Sequence, residues 1–156
     1  MSATHLHAMI IHFPIALLTV GFFLEMISLF TKMVLYKKAA FLLLLLGALG
    51  TVASYLTGNF AGEGIEEGSL KEALDMHERA ANLSLWLTIV TAIVYLVAHV
   101  YKNKKVWMRV ASVILFASVV GAIARTGYLG GQLVYKHGAG VQLELPDFNI
   151  PDAGDQ

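Results

Sequence analysis

The chain has 156 residues, of which 57% are hydrophobic and only 14% are charged, and its mean hydropathy is +0.67. This composition is too apolar for a soluble domain of the same size and predicts a membrane protein. The formal net charge of zero, with no basic face or tail, excludes a nucleic-acid-binding surface. The absence of cysteine excludes disulfides, thiolate metal sites, thiol catalysis and the covalent attachment of a c-type haem.

Four stretches of the chain are long and apolar enough to cross a bilayer, at residues 10–30, 39–60, 80–99 and 106–128. With short connections between them, they predict an all-α, integral membrane, up-and-down four-helix bundle. We assign residues 1–140 to this four-helix domain and residues 141–156 to an acidic tail outside the bundle. The N-terminus lacks the positive region of a signal peptide, so we expect the first helix to be retained.

The basic residues predict the orientation, because Lys and Arg accumulate in cytoplasmic loops. They cluster in or beside the first and third connections, at Lys32, Lys37, Lys38, Lys102, Lys104, Lys105 and Arg109. Most of the acidic residues lie in the second connection and the tail. We therefore expect a multi-pass protein of the bacterial inner membrane, with both termini on the periplasmic or outer side.

The first span carries polar residues near both of its ends. His12 precedes Pro14, which cannot donate a hydrogen bond in a helix, so the helix either kinks or begins there. His5 and His7, just before it, are predicted to be solvated residues of the N-terminal tail. Glu25 lies within the apolar run and is expected to be protonated, paired with a lysine at the inner end, or functional.

The second and fourth spans each have a narrow face of small residues. These faces consist of Gly47, Gly50, Ser54 and Gly58 on one helix, and of Ser118, Gly121, Ala122 and Arg125 on the other. Small residues allow helices to approach closely in lipid, and they also leave room for a flat ligand. The sequence favours neither interpretation.

The third and fourth helices are predicted to project beyond the membrane on the outer side. Ser69 and Glu72 have the spacing of a capping box, which would start the third helix well before its apolar run and place His77 in the projecting turns. No proline interrupts the fourth helix before His137, and Gly138 is suited to cap its end. A break at the preceding glycines would instead fold His137 back over the bundle.

Most of the histidines belong to the outer half in this orientation, which suggests that any chemistry lies there. The first and third helices of an up-and-down bundle occupy diagonal corners, so His12 and His77 can face each other as a bis-histidine b-type haem requires. For the rings of His12 and His77 to lie at the same height along the bundle, the first helix must extend beyond its apolar stretch or be tilted. Arg125 is then the candidate partner for a haem propionate, and His137 a lid or alternative ligand. Each histidine could instead be a hydrogen-bonded packing residue at the interface.

Four motifs of this chain resemble a widespread bacterial family of four-helix membrane proteins catalogued as a domain of unknown function. They are HFPIAL at residues 12–17, the pair Thr57-Gly58, His77, and the run at residues 127–138 that ends in GGQLVYKHG. The resemblance implies a redox setting, because relatives occur joined to c-type cytochrome domains or beside respiratory components. It also groups His12, His77 and His137 as one candidate set.

The leading hypothesis is a membrane-embedded b-type cytochrome subunit that transfers electrons between the quinone pool and a periplasmic partner. Its haem b is held by His12 and His77, with lipid, quinone, a c-type cytochrome or a respiratory complex as partners. An alternative is a zinc or copper site, in which His12, His77 and His137 act with Glu78 or Asp75. A third is a cofactor-free structural or assembly subunit of a respiratory complex. A second copy of the chain, in a homo-oligomer, is a further candidate partner. An electron-transfer subunit is favoured over a stand-alone enzyme.

Overall fold

A computed structural model describes residues 2–31, 33–64, 67–101 and 105–141, and the regular secondary structure of these ranges is entirely α-helical. The helices are α1 (Ala3–Ile10), α2 (His12–Phe30), α3 (Val34–Gly62), α4 (Ser69–Val100) and α5 (Val106–His137). Together α1 and α2 form one of four helical units that are long and apolar enough to cross a membrane. The prediction of an all-α four-helix membrane bundle is confirmed.

Several residues used in the sequence predictions lie outside the described ranges. They include the predicted acidic tail after Val141 and three lysines of the orientation argument, Lys32, Lys102 and Lys104.

Each long helix packs against two neighbours. The contacts run from α2 to α3, from α3 to α4, from α4 to α5 and from α5 back to α2, while α1 packs on α3. Among the described helices, no Cα atom of α2 lies within 8 Å of a Cα atom of α4, and the same holds for α3 and α5. The first and third membrane helices therefore occupy diagonal corners, as predicted.

The first membrane helix kinks at Ile11, between α1 and α2. Pro14 cannot donate a hydrogen bond to the carbonyl of Ile10, which weakens the helix at that turn. Ile11 keeps helical dihedral angles (φ −59°, ψ −26°), so the chain bends without unwinding. Pro14 is buried, with its ring in contact range of Gly50 on α3. The kink leaves α1 lying along the end of α3.

The small-residue face of α3 is covered by α1 and α2. A Cβ atom added at Gly47 would lie 2.5 Å from Cγ of Leu18, and one added at Gly50 would lie 3.2 Å from Cδ of Pro14. This face therefore mediates close helix packing. On α5 the corresponding face points away from the bundle: Ser118 is exposed, and a Cβ at Gly121 would meet nothing within 4 Å in the described structure.

The core at mid-height is apolar and contains Leu18, Leu44, Phe116 and Val119, all fully buried. The ring of Phe116 makes edge-to-face contacts with Phe22 and Tyr95, at centroid distances of 5.7 and 5.8 Å. Many apolar side chains also cover the outside of the bundle, as a lipid-facing surface requires; Leu49, for example, is 69% exposed.

The ends of α4 and α5 test two further predictions. The capping box at Ser69 is wrong, because Gly68 is the N-cap residue and no side chain caps the helix. Gly68 has φ +86°, a conformation that favours glycine. The fourth helix does continue to His137, with Gly138 as a left-handed C-cap, as predicted. Leu133 is buried against α4, and this packing keeps the glycine-containing turns helical.

Candidate functional site

Two histidines are hydrogen-bonded to a neighbouring helix. His7 on α1 is bonded to α3, and His77 on α4 is bonded to α5. Nδ1 of His7 lies 3.2 Å from the hydroxyl oxygen of Thr57 on α3. Nδ1 of His77 lies 3.1 Å from the backbone carbonyl oxygen of Thr126 on α5. Both side chains are half-buried. These contacts restrain the orientation of both imidazole rings.

The hydrogen-bond partners determine which ring nitrogen carries the proton. The Thr126 carbonyl can only accept, so Nδ1 of His77 is the donor. The Thr57 hydroxyl donates to backbone carbonyls of its own helix, at 3.0 Å from Ala53 and 3.1 Å from Ser54, so its oxygen accepts from Nδ1 of His7. With Nδ1 protonated in both neutral rings, each Nε2 carries a free lone pair. In this tautomer the Nε2 atom of each ring is its hydrogen-bond acceptor.

Glycines allow both rings to approach the adjacent helix. A Cβ atom added at Gly58 would lie 3.0 Å from Cε1 of His7, and one added at Gly130 would lie 3.1 Å from Cε1 of His77. A larger residue at either position would push the ring away from its present place. The two histidines therefore share the same kind of support, a threonine oxygen and a close glycine.

The two rings lie at the same end of the bundle. The ring of His7 lies beside Gly58 near the end of α3, and the ring of His77 lies beside Gly130 near the end of α5. Within the described helices, no Cα atom of α1 lies within 8 Å of one in α4. The two histidines thus lie at one end of the bundle on helices whose backbones stay apart.

The sequence predictions missed His7, which lies 70 residues before His77. The buried positions Pro14, Leu18 and Gly21 of the first membrane helix likewise lie 70 residues before the buried positions Ser84, Thr88 and Thr91 of α4, although the residue types differ. On the partner helices, Thr57 and Thr126 are 69 residues apart, but the glycine beside His77 is Gly130 and not Gly127. The common spacing of the two histidines and of these buried positions was a signal for His7.

The prediction that His7 is a solvated tail residue is wrong, and His12 lies elsewhere. His12 is the first residue of α2 and is exposed, with no hydrogen bond to another described residue. Five residues separate it from His7, which corresponds to about 140° around a helix axis. The two histidines therefore occupy different faces, and His7 is the one near His77. A ligand role for His12 stays a prediction.

The other predicted site residues lie apart from this histidine pair. Arg125 is exposed on α5, next to Thr126. His137 is half-buried in the last turn of α5, about 16 Å along the helix from Thr126 at the usual rise per residue. Because α5 does not break at its glycines, His137 is not folded back towards His77. Their roles as propionate partner and as lid or alternative ligand stay predictions.

The predicted zinc or copper site is not assembled within the described residues. No group of three or more His, Asp or Glu side chains there could hold a metal ion. Asp75, one of the predicted ligands, instead forms an ion pair with Lys71 at 2.8 Å. Protein zinc sites commonly use three or four side-chain ligands, whereas His7 and His77 supply two.

The comparisons with known proteins give a family and no individual relative. A family model described as "Predicted membrane protein (DUF2231)" matches residues 3–143, which include all five helices. No match was found among curated proteins or among solved structures. The match agrees with the four membrane-crossing helical units of the fold. The chain therefore belongs to the DUF2231 family of predicted membrane proteins.

Proposed function

We propose that this membrane protein is a b-type cytochrome subunit in which His7 and His77 are the axial ligands of one haem. The observation that carries the proposal is the matched pair of Nδ1 hydrogen bonds, to Thr57 and to Thr126, which leaves both Nε2 atoms free at one end of the bundle. Two neutral imidazoles from diagonal helices are the donor set that bis-histidine ligation uses.

The surroundings of the two histidines suit this role. A ligating histidine commonly donates its second ring N–H to a carbonyl, carboxylate or water, which holds the ring and raises its basicity. The Thr126 carbonyl provides such an acceptor for His77, and the Thr57 hydroxyl provides a weaker one for His7. A bound haem would supply one-electron transfer. The protein would hold it, orient it and limit the access of water.

The remaining assignments form part of the same proposal. With Lys37, Lys38 and Arg109 on the cytoplasmic side, the histidine pair lies near the periplasmic face of the inner membrane, together with both termini. Electrons would pass between the quinone pool in the bilayer and a periplasmic partner such as a c-type cytochrome. Arg125, which is exposed next to Thr126, is the residue that would pair with a haem propionate.

The test is an absorption spectrum of the protein purified from its own membranes in mild detergent. We expect reduced-minus-oxidised bands of a six-coordinate b-type haem, and extraction of one haem per chain without covalent attachment. Metal analysis of the same sample should find iron in that ratio and no stoichiometric zinc or copper. A fully folded protein that shows no such bands, even after haem is supplied during expression, would refute the proposal.

Gly130→Ala should weaken haem binding, whereas Gly127→Ala should not. The new Cβ at position 130 would lie 3.1 Å from Cε1 of His77, so the ring must shift from its contact with Thr126. A Cβ at position 127 would meet nothing within 4 Å in the described structure, which makes it a matched control on the same helix. We expect a haem affinity lower by about 10-fold or more for Gly130→Ala. Haem titration followed by absorption measures the difference, and equal affinities would contradict the prediction.

A further inference from the structure

Glu25 is a carboxyl group buried at the end of the bundle opposite the histidine pair. It lies on α2, five residues before the helix ends at Phe30, and its side chain is only 2% exposed. Its Oε2 atom has no hydrogen-bond partner in the described part of the chain. Burial of an ionisable group with one oxygen left without a partner is costly, so its retention in the bundle requires a reason.

The groups around Glu25 come from three other helices. Tyr95 on α4 packs against Phe116, which also contacts Phe22, three residues before Glu25. The Tyr95 hydroxyl is a second buried polar atom without a hydrogen-bond partner among the described residues. Arg109 on α5 donates from Nη2 to the carbonyl oxygen of Ser28, at 3.3 Å. Arg109 and Lys37 on α3 both act electrostatically on Glu25. The groups that act on the Glu25 carboxyl are thus one phenol and two cations, each from a different helix.

The predicted pairing of Glu25 with an inner lysine does not appear as a direct contact. Among the described residues, the side-chain nitrogens of Lys37, Lys38 and Arg109 are all more than 4 Å from the Glu25 oxygens. Arg109 and Lys37 nevertheless act on the Glu25 carboxyl through space. A protonated carboxyl gains one O–H donor, and the Tyr95 hydroxyl can both donate and accept. Partners are thus available for both charge states of Glu25.

We propose that Glu25 is a proton-binding site, in which the carboxylate takes up one proton to become a neutral carboxyl group and releases it again. The neutral form hydrogen-bonds to the Tyr95 hydroxyl, and the ionised form is stabilised by Arg109 and Lys37. Because Tyr95, Arg109 and Lys37 already surround Glu25 in the folded bundle, the site can exchange a proton without unfolding of the helices around it.

Aromatic packing indicates the side from which the proton arrives. The Tyr95 ring meets the fully buried Phe116 edge-on, and Phe116 in turn meets Phe22, which closes the bundle towards the histidine pair. Arg109 and Ser28 lie on the other side of Glu25, close to the last turn of α2. Proton exchange therefore takes place through the bundle end formed by Arg109, Ser28 and Lys37.

Infrared difference spectroscopy of the full-length protein between acidic and neutral pH tests this site. We expect a carboxylic-acid C=O band in the wild type that disappears in Glu25→Gln and persists in Glu63→Gln, whose carboxylate is exposed. Tyr95→Phe should shift the frequency of the band, because the hydrogen bond to the carbonyl is lost. This variant keeps the aromatic ring and tests the site even where Glu25→Gln fails to fold.

The infrared experiment tests Glu25 independently of the haem proposal. A band that survives in Glu25→Gln, or that Tyr95→Phe leaves unshifted, overturns the proton-binding proposal. The absence of any pH-dependent carboxylic band overturns it as well. None of these results depends on whether the sample contains haem, because the infrared band belongs to the Glu25 side chain.

Discussion

His7→Ala and His77→Ala should each abolish the reduced-minus-oxidised spectrum of a six-coordinate haem, and His12→Ala should leave that spectrum intact. His7 and His77 are the two histidines whose Nδ1 atoms are held by Thr57 and Thr126. His12 is exposed and makes no hydrogen bond within the described structure. If these two histidines hold the haem as proposed, removal of either imidazole would leave the iron with at most five ligands and would change the visible bands qualitatively.

A milder substitution, at Thr57, distinguishes weaker haem binding from a general loss of folding. Thr57→Val removes the hydroxyl that accepts from His7 and leaves the ring itself in place. We expect haem affinity to fall about 10- to 100-fold, the usual effect of losing an outer hydrogen bond to a ligating histidine. Circular dichroism should show unchanged helix content in all four variants. Loss of the haem bands in His12→Ala, with retention in His7→Ala, would contradict this assignment and restore the pairing of His12 with His77.

Gly47→Leu should strongly destabilise the bundle, and Gly121→Leu should not. Even a Cβ at position 47 would lie 2.5 Å from Cγ and 2.7 Å from Cδ2 of Leu18, which is fully buried and has no free space to move into. The helices α2 and α3 must separate to admit a leucine, at a cost of about 3 kcal/mol or more. In lipid the hydrophobic effect does not compensate for the lost packing, because lipid tails are as apolar as a leucine side chain. Association of the helices therefore depends on how closely they pack.

The control substitution acts on a glycine with open space around it. A Cβ at Gly121 would meet nothing within 4 Å in the described structure. Leucine is also a better helix former than glycine, which favours Gly121→Leu by about 0.5–1 kcal/mol. Unfolding of each variant in mixed micelles with increasing sodium dodecyl sulfate, followed by circular dichroism, measures the difference. Equal midpoints for the two variants would show that the contact between Gly47 and Leu18 does not stabilise the bundle.

Much of the fold could be predicted from local sequence, because a membrane imposes simple requirements. A helix that crosses the hydrocarbon core must satisfy its backbone internally and needs about 20 apolar residues. The four spans, the diagonal placement of the first and third helices, and the end of α5 at Gly138 follow from these constraints and from short connections. The start of α4 was misjudged because Ser69 and Glu72 match a capping box by spacing alone, whereas Gly68 is the N-cap.

The sequence by itself determined that this is a four-helix membrane protein with histidines and a buried carboxyl group at defined heights. Only the tertiary structure decided which of those side chains meet. His7 replaces His12 near His77 because about 140° of helix separates the two histidines and the kink at Ile11 lays α1 along α3. The partners Thr57 and Thr126 lie about 50 residues away in sequence. Contacts over such distances depend on helix rotation and packing, which the local apolar pattern does not contain.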